Sequence, residues 1–259
     1  MKYGRLPRKH DPRVPHYSAL IAGAAQSAPP PSIDYTAALP ATGLGMFGND
    51  SLGDCTCAAI YHAIQVWSST AQQLVDTEPD QDAVLLYEQA CGYVPGQPNT
   101  DQGGVEQDVL SYVMLSGAPI GSSGLARHRI AAFVELDPRN FDDVKLAIVD
   151  GGLTYIGFDV PSYLPEAPGS TWDVQSDATN WSIAGGHAVI AAGYDVDGLT
   201  IISWGAKYRM TWAFWSEFVD EAYLLADVDW IKSTGSTPAG MTLAQLEDQM
   251  SALRQAPSS

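Results

Sequence analysis

Cys55 and Cys57 compete as the candidate nucleophile of this chain, and His187 is the candidate base. The string Gly48-Asn49-Asp50-Ser51-Leu52-Gly53-Asp54-Cys55-Thr56-Cys57 puts Cys55 at the first turn of an expected helix, just after a glycine-bearing turn. Unpaired backbone N–H groups and the helix dipole at that place favour a thiolate and can donate to an oxyanion. Asp54 opposes the thiolate unless its charge is taken up in capping the helix. Read alone, the string fits a lone buried cysteine better than a nucleophile. The second half supplies a base: Gly185-Gly186-His187-Ala188-Val189 places His187 at the start of an apolar strand, and Ser203-Trp204-Gly205 follows on the strand expected to pair with it. A cysteine early on a helix and a distant histidine on a strand are what a thiol hydrolase requires, because the base must reach the sulfur across a cleft.

The elements that would position these groups can be read from periodicity. Ala58, Ala59, Ala63, Ile64 and Trp67 recur at helical spacing, so a helix runs from Asp54 as N-cap to about 70. Further helices are expected at 80–91, 105–116 and 141–149, the last with Asn140 and Asp143 placed as a near capping box. After Gly151-Gly152 the pattern turns to strands: 154–158, then 187–194 and 199–204 as a hairpin closed by Asp197-Gly198. A Trp- and Phe-rich helix at 212–223 and a short strand at 224–226 complete the body. Helices in the first half and strands in the second make an α+β chain with a cleft between the halves.

Composition narrows the function classes. The 259 residues carry a net charge of −17 and 46% hydrophobic residues, a globular profile whose field repels nucleic acid. No apolar run approaches the roughly 20 residues of a membrane span. The charge is uneven: Lys2, Arg5, Arg8, Lys9 and Arg13 face one acid, Asp11, so residues 1–13 carry +4 and the rest −21. Such an arm can fold onto its own acidic body or onto a neighbouring copy, or stay a solvated tail. Leu243, Leu246, Met250 and Leu253 form an apolar stripe on an expected C-terminal helix, and self-assembly or docking is expected through residues 1–20 and 242–254. The organisation reads as an arm over 1–32, basic and then Pro/Ala-rich, a body over 33–235, and a helical tail over 236–259. No secretory signal precedes the body, and three cysteines make no disulfide framework, so a reduced, cytoplasmic birth is expected. No Cys/His spacing forms a metal site, and Asp195-Val196-Asp197-Gly198 lacks the remaining ligands of a calcium loop. Gly103-Gly104 lacks the setting of a phosphate loop. No metal and no cofactor are expected.

Taken in order, these motifs resemble the papain-like cysteine peptidases. Ile33-Asp34-Tyr35 is similar to the segment that opens the mature enzymes, and Asn49 stands at the family's spacing from oxyanion Gln to nucleophile. Gly53-Asp54-Cys55 matches Gly-Ser-Cys, and Gly103-Gly104 the Cys-Asn-Gly-Gly segment. His187-Ala188-Val189 with Gly193-Tyr194, and Ser203-Trp204-Gly205, match the family's later motifs. The resemblance implies a two-lobed fold, a helical N-terminal lobe facing an antiparallel β lobe. It implies a hydrolase of peptide or amide bonds acting on peptide or protein substrates, with Cys55 as nucleophile, His187 as base and Asn49 at the oxyanion. Motifs of the Gly-Asn-Asp…Gly-Asp-Cys type also look similar to those of uncharacterised actinobacterial and phage proteins.

Departures accompany the match. Asn49 is one methylene shorter than Gln. Aligned on Trp204-Gly205, the His-orienting Asn becomes Ile202, and Ser203 takes that role only if the strand shifts by one residue. Thr56 replaces the Trp that follows the nucleophile, and Leu52 replaces a disulfide cysteine. A short lead-in stands in place of the long inhibitory propeptide, so ordinary zymogen control is not expected. Cys57 is expected in the core, Cys91 as structural and His62 as a helix histidine. The alternative reading is a papain-fold structural or interaction protein with an altered site, such as a virion-associated component. Acyl transfer to an amine by the same pair is a third.

Overall fold

The buried helix that follows Asp54 organises the chain. In the computed structural model, which describes residues 1–21, 28–71, 73, 75–122, 124–177 and 179–234, helix α1 (Tyr17–Leu20) and strand β1 (Ile33–Asp34) lead to α2 (Cys55–Ala71). Residues 55–69 of α2 are buried on every side, as expected of a helix apolar all round and packed centrally. Around it stand α3 (Asp80–Cys91), α4 (Glu106–Leu115) and a small hairpin of β2 (Ala118–Ile120) and β3 (Ala126–His128). Tyr61 Oη donates to Asp82 O and Pro119 O, both at 2.8 Å, which ties α2 to α3 and the hairpin.

The chain then passes through β4 (Ile130–Glu135), α5 (Phe141–Gly151), β5 (Thr154–Pro161) and β6 (Thr171–Trp172). It continues into β7 (Ile183–Tyr194), β8 (Gly198–Ser203), β9 (Ala206–Thr211), α6 (Trp212–Phe218), β10 (Val219–Asp227) and α7 (Val228–Thr234). The main sheet has the order β4-β10-β5-β7-β8-β9-β6, with β1 added on β7. Its pairs are antiparallel except β6 with β9. The result is an α+β fold in which α2 lies against β7.

Most expected elements appear, with corrections. The Asn140 side chain caps α5 by accepting from Asp143 N, and Asp195 accepts from Asp197 N and Gly198 N in the β7–β8 turn. The helix expected over 212–223 ends at Phe218. From Val219 the chain becomes a strand gripped on both edges, by β4 and β5, and ladder pairing overrides the helical preference of Asp220-Glu221-Ala222. Strand β4 lies before Gly151-Gly152, where the strand pattern was expected to begin, yet joins the main sheet, so helices and strands are less segregated than the sequence suggests. The tail at 236–259 and its expected helix at 242–254 lie outside the described residues.

Candidate active site

Cys55 opens α2 beneath β7. Asp54 caps the helix with its backbone carbonyl, which accepts from Cys57 N at 2.8 Å and Ala58 N at 2.9 Å. Its side-chain oxygens make no hydrogen bond among the described residues. Burial, rather than capping, deals with the Asp54 charge: the carboxyl is pushed up to about 8, so most of it is protonated at neutral pH. Cys55 is 1% exposed, and burial pushes its thiol up to about 12, against the backbone amides of Ala188 and Gly4, which donate toward the sulfur.

The Ala188 amide follows His187, so helix and strand bring the two candidate groups to one place. His187 is likewise 1% exposed. Its Nε2 lies 2.8 Å from Ser203 Oγ, and its Nδ1 has no hydrogen-bond partner among the described residues. The Trp204 indole stacks on its ring, centroids 4.5 Å apart and planes 19° from parallel. Trp204 takes φ 46°, a left-handed conformation that costs a side-chain-bearing residue about 1–3 kcal/mol.

Register explains which residue reaches the histidine. Ile202 pairs with Ile190, so the alternation of a strand turns both to the face opposite His187. Ser203 shares the His187 face, and Ile202 is fully buried. The alignment on Trp204-Gly205 that sets Ile202 in the orienting position therefore names the wrong neighbour; Ser203 is the one in contact.

Asn49 is buried, and its Nδ2 donates to Leu52 O at 3.0 Å and to Lys2 O at 3.2 Å. The second acceptor belongs to the N-terminal arm, which threads the cleft. Gly104 N donates to Gly4 O at 2.8 Å, Arg5 N to Gly186 O at 3.0 Å and Leu6 N to Gly104 O at 2.9 Å. Gly4 passes so close to the helix start that a Cβ there would lie 1.8 Å from Gly53 O. Tyr3 packs edge-on to His187 and donates to Glu166 Oε1 at 2.7 Å. The lead-in, for which no ordinary zymogen control was expected, lies across the site. Further along, Lys9 pairs with Asp108 at 2.7 Å and Arg8 with Glu135, so the arm lies on its own chain's acidic body.

The other candidates take other places. Cys57 is fully buried beside Cys91, both thiols free. His62 is buried, with Nδ1 3.0 Å from Gln65 Oε1, and burial holds its ring down to about 4. No group of His, Cys, Asp or Glu suited to a metal ion occurs among the described residues. No helix among them is long and apolar enough to cross a membrane. Sequence reasoning missed Tyr3, Gly4 and the stacking of Trp204; the one signal was the +4 of the arm, which carries no address.

The sealed pair is a neutral thiol and a neutral imidazole. Burial, with a lesser contribution from His62, lowers His187 from 6.5 to about 3. A base lowered in the folded state favours its neutral form, so this stabilisation is complete above about 6.5 and is lost as pH falls toward 3. The His187 ring resonances of the intact chain should therefore not titrate between pH 5 and 8 (roughly the window of an ordinary histidine). Titration near 6.5 would contradict a sealed site.

No family model matches this chain, and no curated protein matches it. Solved structures do. The chain is similar to xylellain, a cysteine protease from Xylella fastidiosa, with a TM-score of 0.64 at 19% identity, covering 87% of this chain and 96% of that one. It is similar to a procathepsin B from Trypanosoma congolense, with a TM-score of 0.60 at 13% identity over 87% and 86% of the two chains. A cysteine protease of Carica candamarcensis matches with a TM-score of 0.51 at 16% identity, over 76% of this chain and 99% of that one. The fold is that of the papain-like cysteine proteases.

Proposed function

We propose that the chain is a papain-like cysteine hydrolase of peptide or amide bonds, with Cys55 and His187 as its catalytic pair and its own N-terminal arm as the cover of the resting site. The observation that carries this reading is the meeting of the Cys55 sulfur with the Ala188 amide, beside a histidine whose Nε2 is held and whose Nδ1 is unpaired. Nε2–H donates to Ser203 Oγ, which leaves Nδ1 as the acceptor. With the cleft opened, Nδ1 takes the thiol proton and the sulfur attacks the substrate carbonyl carbon. The oxyanion rests between the Cys55 backbone N–H and the Asn49 amide, a group that already donates to a peptide carbonyl in the cleft. The amine leaves with the proton from His187, and a thioester remains on Cys55. Water attacks it, giving a proton to His187, and the acid product departs as the thiol re-forms.

The test compares the intact chain with Gly4→Ala, which forces the arm away, and with Gly4→Ala combined with Cys55→Ala, on a mixed peptide library read by mass spectrometry. Cleavage is expected from the opened chain only, and only with Cys55 present. An opened chain that cleaves nothing would leave the alternative, a papain-fold interaction protein such as a virion component.

A further inference from the structure

Within residues 1–13 the arm buries one side chain, that of Arg5. The Arg5 side chain is 2% exposed and enters a pocket built from α4, β5 and β10. Its Nε lies 3.4 Å from Glu106 Oε1, and its Nη2 lies 3.2 Å from Glu221 Oε2 and in contact with Asp220. Asp159, half exposed at the rim, lies 3.7 Å from Nη1. Tyr223 Oη donates to the second oxygen of Glu221 at 2.5 Å and orients that carboxylate. Glu106 is fully buried, and neither of its oxygens makes a hydrogen bond among the described residues. A buried carboxylate without a hydrogen bond is costly unless a cation faces it. The pocket is open because residue 157 is glycine: a Cβ there would lie 2.2 Å from Arg5 Nε and 2.3 Å from Glu106 Oε1.

Nothing in the pocket depends on the arm's being part of the same chain. The backbone on either side of Arg5 is held by Gly104 and Gly186 main-chain groups, and Lys2 by Asn49, groups that any extended peptide can use. The Asp159 and Asp220 rim also borders a surface cavity of about 700 Å³, so the pocket has an entrance. We infer that this pocket is the specificity site of the cleft and takes the arginine side chain of an extended peptide, next to the residue that lies over Cys55. As a statement about substrate, this rests on the hydrolase reading above; as a statement about binding, it does not. A planar guanidinium meets several carboxylates at once, which an ammonium cannot match, and a neutral side chain would leave Glu106 and Glu221 uncompensated.

The test uses the full-length Gly4→Ala, Cys55→Ala chain, so that binding is read without hydrolysis. The probe is a fluorescein-labelled peptide with the sequence of residues 1–9, and three forms carrying citrulline, lysine or leucine at its fifth position. Anisotropy should show the arginine form binding at least about tenfold more tightly than citrulline or leucine, with lysine between. Gly157→Ala and Glu221→Gln should each abolish that preference. Equal binding of all four peptides would overturn the inference, as would no binding by a chain whose Cys55-intact counterpart alkylates freely. In that counterpart, library cleavage without an arginine preference sinks this inference and spares the hydrolase. Arginine-selective binding without cleavage does the reverse.

Discussion

Replacing Gly4 with alanine should make Cys55 react with iodoacetamide at pH 7 roughly a thousandfold faster than in the intact chain. The new Cβ would meet the Gly53 carbonyl at 1.8 Å, backbone against backbone, with no rotamer to relieve it. In the sealed site burial pushes the thiol up to about 12, so very little of it is thiolate at pH 7. A solvated thiol near 8.5 is a few per cent thiolate, and opening the site adds steric access to that gain. Mass mapping should find Cys55 labelled ahead of Cys57, which stays buried in the core. Unchanged labelling in a folded Gly4→Ala chain would mean that the arm does not govern access.

In the opened chain, Ser203→Ala should lower kcat at least about a hundredfold with little change in KM. The hydroxyl is the partner of His187 Nε2, and a base with an unfixed tautomer loses orders of magnitude in rate. Ser203→Asn, which keeps an acceptor, should recover part of the loss. Ile202→Asn should not help: the residue lies in the core against Ile190, and an amide there should cost about 2–4 kcal/mol of stability. An equal loss on Ser203→Ala in KM alone, or a gain on Ile202→Asn, would return the orienting role to position 202.

The outline of the site was legible because its two halves are local features. A cysteine after a glycine-bearing turn and before an apolar periodic run can hardly fall elsewhere than a helix start, and α2 begins at Cys55. His187 at the start of a continuous apolar strand was equally readable. Which of Ile202 and Ser203 faces it was not, because that depends on a one-residue register set by β7 and β8 pairing. The end of α6 was missed for a related reason: Val219 to Asp227 becomes a strand only because β4 and β5 lie on either side. The basic arm announced itself by charge, yet its pocket draws on Glu106, Asp159, Asp220 and Glu221. These acids come from distant parts of the sequence and meet only in the folded chain.

That Cys55 and His187 act as a nucleophile and its base is tested most directly by the pH dependence of Cys55 alkylation in the Gly4→Ala chain, with and without His187→Ala. An adjacent imidazolium stabilises the thiolate, so the rate should remain high well below the ordinary thiol range of about 8.5 and should move back into that range when His187 is removed. A single inflection near 8.5 in both chains would contradict the pairing on which the proposed function depends.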